Sequence, residues 1–393
     1  MERKKILWLC SWYPDKTDLY NGDFIQRHAR AASLYNDIHV IYVTADYSGE
    51  TRGKEKEVVI NTVPGLTEQI VYFPAKRSFT GRIKAHYKWL FLYKQALRNY
   101  KIRFGKPDGV HLHVAWKAGL AADWCRKRFG WDYLLTEHWT IFQPEDPYPF
   151  NDRPFFFRRP VKRIIRDCRL LLPVSRNLGL RIQQSVIHKE FQVINNVADT
   201  DLFSCTPDVS DTGPSQKFRF IHVSVMTRQK NPEGIIRAFT AVYRQHKNCE
   251  LVMVGDTAPA IRQFAAGMQL PEDAIRFRGV IPYGQVAAAM KEAAGLILFS
   301  HIENSPCVIG EALCCGLPVI ATRVGGVPEL LDESNGLLVD AGNEAALAGA
   351  MQTLLMQYAN YDRKRIAEKA AARFSYESIG KQFDSVYRSA FNS

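Results

Sequence analysis

Residues 295–331 read GLILFSHIENSPCVIGEALCCGLPVIATRVGGVPELL. The apolar run Gly295–Phe299 has strand length and ends in the polar stretch Ser300-His301-Ile302-Glu303. Ser305 is placed to cap a helix, and Pro306 to occupy its first turn, where a missing N–H costs nothing. The helix stops at Gly316; Pro318–Thr322 is the next strand, closed by a Gly325-Gly326 turn. Strand, helix and strand in so short a span make a βαβ unit, and hence a parallel sheet. Free N–H groups at the helix start offer a phosphate site beside the strand ends. Two carboxylates flank it, Glu303 in the loop and Glu311 within the helix. As an isolated pair they read as acids favoured by the helix dipole.

The same alternation runs outward through the chain. Strands are expected at Lys5–Cys10, His39–Val43, Gly109–Val114, Tyr133–Thr136, Leu170–Val174 and Gln192–Ile194 in the first half. In the second they fall at Phe218–Val225, Glu250–Val254, Ile275–Arg278, Gly295–Phe299, Pro318–Thr322 and Gly336–Val339. Amphipathic stretches such as Phe24–Tyr35 and Asn231–His246 lie between them. Two sets of about six strands imply an α/β protein of two doubly wound, Rossmann-like domains, at 393 residues too long for one core. The Ser-, Thr-, Asp-, Pro- and Gly-rich stretch 204–216 marks the boundary, giving domains over 1–204 and 205–375. An amphipathic helix from Tyr376 is expected to pack residues 376–393 back on the first domain.

Composition narrows the classes. No apolar run approaches the ~18 residues that span a bilayer, and the N-terminus is too quickly polar for a signal peptide. A soluble, cytoplasmic protein is the expectation. The eight cysteines show no C-x-x-C spacing, so neither a zinc site nor a disulfide framework is indicated. Charge is uneven: residues 1–200 carry 33 Lys and Arg against 20 Asp and Glu, the remainder 19 against 20. Bases cluster over 76–106 and 153–169, and in Phe79–Tyr100 and Pro154–Arg169 they interleave with aromatics. That mixture suits a helix lying on an anionic membrane surface, although the aromatics could equally pack inward. No nucleic-acid motif accompanies the charge. Asp199-Thr200-Asp201 spells a D-x-D, but nothing nearby supplies further oxygen ligands, so it reads as a loop or cap.

With its surroundings included, the region around Glu303 and Glu311 is specific. It resembles the E-x7-E motif of the retaining family-4 glycosyltransferases, together with the helix of small residues and the G-L-P-V-I-A-T strand that follow. The resemblance covers nearly the whole chain and implies the two-domain GT-B fold. It implies that Glu303 binds hydroxyls of a donor sugar and Glu311 a ribose. Backbone around Asn304, Ser305, Pro306, Cys307, Val308 and Ile309 would hold sugar and diphosphate. His222–Lys230 looks like the first strand and loop of the donor domain, with Lys230 matching the family lysine. The family arginine falls on Val225, a departure that Arg228 would have to make good. Asn21-Gly22-Asp23-Phe24 occupies the place of the glycine-rich loop, where Gly22 would admit acceptor or phosphate. Thr136-Glu137-His138 resembles T-x-H, whose histidine faces the donor sugar; for His113 the reading stays open. Val193–Phe203 resembles V-I-P-N-x-V-D-x-x-x-F, with Asn195 for the proline.

The resemblance thus implies transfer from a UDP- or GDP-sugar to a glycan or lipid-linked acceptor, as in bacterial surface polysaccharide assembly. The nucleotide-sugar is a co-substrate, and neither a cofactor nor a metal is expected. A GT-B epimerase or phosphorylase is the rival enzyme, and a basic nucleic-acid-binding protein the rival outside enzymes.

Overall fold

The computed structural model describes residues 2–51, 54–205 and 217–391. The chain divides into two compact units, Met1–Val197 with Tyr376–Ser393, and Ala198–Ser375. The division falls at 197/198 rather than 204/205 because the intervening residues are held by the second unit. Ala198 N–H donates to Phe374 O at 2.9 Å, and buried Phe203 packs edge-on against Tyr283 at 5.0 Å. Residues 206–216, most of the expected linker, lie outside the described residues.

Unit 1 runs β1 (Lys5–Cys10), α1 (Asp23–Ser33), β2 (Asp37–Asp46), β3 (Glu57–Val63), β4 (Leu66–Pro74), α2 (Phe79–Phe104) and β5 (Gly109–His113). It continues with α3 (Ala118–Phe129), β6 (Tyr133–Glu137), α4 (Phe155–Asp167), β7 (Leu171–Pro173) and α5 (Arg176–Ser185). Its sheet order is β3-β4-β2-β1-β5-β6-β7, parallel except for β3 against β4. Side chains of β1 alternate between two cores, as the twofold period of a strand requires. Leu7 and Leu9 join α2 to α5 on one face; Ile6, Trp8 and Cys10 join α1 on the other.

Two elements differ from the sequence reading. The β3–β4 hairpin was not expected, because β3 is an edge strand with most of its side chains exposed. The strand expected at Gln192–Ile194 is extended chain beside β7. Gln192 N–H donates to Leu171 O and Ile194 N–H to Pro173 O, but only an isolated bridge at Phe191 results.

Unit 2 runs β8 (Phe218–Val223), α6 (Pro232–Gln245), β9 (Cys249–Val254), α7 (Pro259–Ala266), β10 (Ile275–Gly279), α8 (Tyr283–Lys291) and β11 (Gly295–Leu298). Then follow α9 (Cys307–Cys314), β12 (Val319–Thr322), β13 (Gly336–Val339), α10 (Glu344–Gln357) and α11 (Arg363–Phe374). The sheet is wholly parallel, in the order β10-β9-β8-β11-β12-β13. Its central strands β9, β11 and β12 are buried throughout, as strands covered on both faces must be. The strand order reverses between β1 and β5 in unit 1 and between β8 and β11 in unit 2. In open α/β sheets, crevices for ligands form beyond the carboxyl ends of the strands at such points.

The last helix, α12 (Tyr376–Ala390), belongs to unit 1, where its buried Ile379, Phe383, Val386 and Tyr387 complete the α1 side of the core. It lies so close to α1 that a Cβ on Gly380 would sit 2.3 Å from the Ala31 carbonyl oxygen. Overpacking of this kind costs about 1–3 kcal/mol. Gly380→Ala should therefore lower the unfolding free energy by that order, read by urea titration as a lower midpoint. An unchanged midpoint would mean that α12 is free to move off α1.

Candidate active site

In unit 2 the crevice residues come from the loops after β8 and β11. His222, buried on β8, places one ring nitrogen 2.8 Å from Ile297 O and the other 2.7 Å from Ser224 Oγ. Ser224 Oγ in turn accepts from Met226 N–H at 2.9 Å, which shapes the start of the loop. Arg228–Lys230 form one turn of 3₁₀ helix, ended by Asn231, whose side chain caps α6 through Gly234 N–H. Gln229 ties this turn to the other loop twice: its carbonyl accepts from His301 N–H and its amide donates to Ile302 O, both at 2.8 Å. The ties bring Lys230 Nζ to 2.5 Å from Glu303 Oε1, in an ion pair whose side chains are 20% and 8% exposed. An ammonium has three donors, so two remain for another anion.

The helix that follows begins differently from the sequence reading. Its N-cap is Pro306, at φ −68° and ψ 120°, and no side chain caps it; Ser305 is one residue too early. An extended proline leaves Cys307 as the first helical residue. Amides of a first turn have no partner four residues back, although Ile309 N–H already donates to Pro306 O at 3.2 Å. Asn304, Ser305 and Ile309 are buried; Pro306, Cys307 and Val308 are partly exposed. Glu311 is buried and accepts from the Tyr283 hydroxyl at 2.6 Å. Tyr283 was not identified from sequence, and no local motif announces it. Val225 is exposed, and Arg228 is exposed with no ion pair among the described residues.

Unit 1 assembles a second group at its own reversal point. Gly22 is the left-handed N-cap of α1, at φ 71°. A Cβ there would lie 2.8 Å from the Trp12 backbone, so the close neighbour that demands glycine is the chain itself. His138 follows β6 and is buried against Phe24, with ring centroids 4.7 Å apart. Buried Glu137 accepts from the N–H groups of Ala115, His138 and Trp139 at 2.9–3.0 Å. His111 is bonded on both sides, to Tyr387 Oη at 2.7 Å and Thr136 Oγ1 at 2.8 Å. His113 stacks on Trp8 at 4.0 Å. His28, on α1, joins them; sequence reasoning passed over it as one residue of an amphipathic helix. Burial holds His111, His113 and His138 well below the ordinary imidazole range. Asp199 Oδ1 accepts from the N–H groups of Asp201 and Leu202, the turn-forming role expected for it.

The basic helices divide their aromatics between core and solvent. On α2, Trp89, Leu92 and Tyr93 are buried, while Phe79 is 81%, Tyr87 70% and Phe91 59% exposed, with Ile83 half exposed between them. This stripe recurs every four residues, and α2 contains no Asp or Glu in its 26 residues. On α4, Phe155 and Phe156 are exposed beside Arg159 and Lys162. No described helix is long and apolar enough to cross a membrane.

Residues 28–202 match the profile of Glycosyltransferase Family 4, and residues 217–357 that of Glycosyl transferases group 1. The chain belongs to glycosyltransferase family 4. Relatives of this family-4 glycosyltransferase include TuaC of Bacillus subtilis (strain 168), named for teichuronic acid biosynthesis. It is 25% identical over 97% of this chain and 95% of its own. N-acetyl-alpha-D-glucosaminyl L-malate synthase of Bacillus anthracis is 27% identical over 51% of this chain and 54% of its own. Among solved structures, sucrose-phosphate synthase from Thermosynechococcus elongatus superposes with a TM-score of 0.79 at 21% identity, covering 99% of both chains. Anabaena HepE, solved with UDP, gives 0.74 at 19% identity over 98% of this chain and 100% of that one. These neighbours have the GT-B fold, as the two parallel-sheet α/β units of this chain do.

The histidine that shapes the loop after β8 of this transferase makes stability pH-dependent. Burial pushes His222 from the ordinary 6.5 down to about 4. Between those values the unfolded chain binds a proton that the folded chain refuses, so stability falls as pH drops from 6.5 towards 4. The loss is complete below 4 and amounts to roughly 3 kcal/mol. Denaturant titrations of the protein and of His222→Gln from pH 7 to 4 should converge by that order at the acid end. Parallel curves would mean that His222 is not held neutral.

Proposed function

We propose that this family-4 glycosyltransferase moves a sugar from a nucleotide diphosphate-sugar to a glycan or lipid-linked acceptor, with retention of anomeric configuration. The Lys230–Glu303 pair at the strand-order reversal of unit 2 carries the reading. Lys230, with two donors unspent, meets the diphosphate whose charge grows as the bond to the anomeric carbon breaks; the first amides of α9 add to it. Glu303 accepts from sugar hydroxyls and Glu311 from the ribose, while Tyr283 holds Glu311 in place. Arg228 swings in from solvent to the place that Val225 leaves empty. The acceptor attacks from the face the leaving group departs. No step is routed through a metal. The relative named for teichuronic acid biosynthesis supports a surface-polysaccharide acceptor, and HepE, solved with UDP, supports a UDP-sugar.

Loss of one preorganised charge-stabilising donor costs about 10²–10³ in turnover. Lys230→Ala should fall by that factor on whichever UDP- or GDP-sugar a thermal-shift screen identifies, and Arg228→Ala by clearly less. Calorimetry should find Glu303→Gln weaker for the sugar nucleotide than for the free nucleotide, and Glu311→Gln weaker for both. Near-full turnover in Lys230→Ala, or hydrolysis or epimerisation of the donor without acceptor, would sink the reading.

We also infer that unit 1 rests on an anionic membrane surface. The exposed stripe Phe79, Ile83, Tyr87 and Phe91 supplies apolar insertion, and each base near the surface contributes about 1 kcal/mol. Attachment would serve a lipid-linked acceptor at the inner face of the cell membrane. The protein should sediment with phosphatidylglycerol vesicles but not with phosphatidylcholine vesicles, and should be released by salt. The change of Lys84, Lys88, Arg158 and Arg159 to glutamate should abolish sedimentation. Protein left in the supernatant with phosphatidylglycerol at low salt would favour a soluble acceptor.

A further inference from the structure

Three buried histidines from three elements of unit 1 converge: His28 of α1, His113 at the end of β5 and His138 after β6. One ring nitrogen of each lies within 4.8 Å of the others. The protonation of His28 follows from its partner. Its Nε2 is 3.0 Å from Asn195 O, which can only accept, so Nε2 carries the hydrogen and Nδ1 the lone pair. That Nδ1 is buried and has no hydrogen-bond partner, and neither ring nitrogen of the wholly buried His113 has one. Buried polar atoms are nearly always satisfied, and an orphan in a native fold calls for an ion or water to explain it.

The geometry points to a binding site for a divalent cation of the zinc class, held by His28 Nδ1 and one ring nitrogen each of His113 and His138. Three uncharged imidazoles with no carboxylate among them suit Zn²⁺, Ni²⁺ or Cu²⁺ and are poor ligands for Mg²⁺ or Ca²⁺. The His28-to-carbonyl bond is the outer contact that fixes tautomer and ring orientation in histidine metal sites. Burial keeps all three rings neutral, as ligands must be. Zn–N bonds of about 2.1 Å place the nitrogens about 3.4 Å apart, so the rings need to close by roughly 1 Å. A fourth position stays open for water or an anion. The sequence reading, which expects no metal, weighs the cysteine spacing and Asp199-Thr200-Asp201; nothing in the chain order brings these three histidines together. The inference does not depend on the transfer chemistry.

The test uses the full chain, stripped with chelator and without donor. Zinc titration by calorimetry should show one equivalent bound and a raised melting temperature, and Co²⁺ should give the visible spectrum of nitrogen ligation. His28→Gln and His113→Asn should each weaken zinc binding at least about 100-fold. His188→Gln, at an exposed histidine, and Cys307→Ser should bind as the parent does. Should His113→Asn fail to fold, His28→Gln decides the matter alone. Undiminished zinc binding in His28→Gln, no bound equivalent in the parent, or equal stabilisation by Mg²⁺ would each overturn the site.

Discussion

The site of unit 2 depends on the contact between Lys230 and Glu303, residues far apart in the chain. They meet because β8 and β11 are neighbours in the sheet although β9 and β10 intervene in sequence. A pair so little exposed does not hold itself together for nothing. Two ions removed from water lose hydration that their attraction recovers only with good geometry. Gln229 supplies that geometry, since its two hydrogen bonds to residues 301 and 302 fix both loops before the charges meet. Removing either partner would leave the other as an uncompensated buried charge. The outcome is a lysine held in place in advance, the condition under which electrostatic stabilisation of a leaving group needs no reorganisation.

Unit 1 meets the same topological problem with histidines in place of a lysine. Its reversal point is lined by imidazoles that burial keeps neutral, and by Glu137, whose carboxylate accepts three backbone N–H groups. His111 connects this region to the chain terminus: its ring bridges Thr136 and Tyr387, so α12 is bonded to the strand ends as well as packed on α1. The helix is therefore part of what positions His111 and His28, since Phe383 lies against both rings.

The second half was the more legible in sequence because its strands β9, β11 and β12 are buried throughout and read as largely apolar runs. All six expected there form. The hairpin β3–β4 escaped because an edge strand with an exposed row of side chains has no such signal. Glu303 and Glu311 stand out through the resemblance of their whole segment to a family motif, but Ser305 is not the cap it resembles: a serine before proline has the right chemistry, and only the backbone angles show that the proline takes the position. Tyr283 and His28 were illegible for another reason. Each acts on residues distant in sequence, Tyr283 on Glu311 and His28 beside His113 and His138, and only the folded sheet makes them neighbours.

Charge distribution completes the argument about what unit 1 faces. Where its bases lie between helices they are neutralised: Arg126 and Arg166 pair with Asp167, and Lys127 and Arg163 pair with Asp123. None of the seven bases of α2 forms an ion pair with a carboxylate among the described residues, and Arg158, Arg159 and Lys162 of α4 form none either. Several sit over aromatic rings instead, Lys94 and Arg98 over Trp124 and Lys101 over Phe129. Such contacts hold the stems of the side chains down and leave the charge uncancelled. Unpaired like charge destabilises a fold through self-repulsion, and an anionic surface would relieve it. Because the exposed apolar stripe lies on the same acid-free helix, that surface would be one that also accepts aromatic rings.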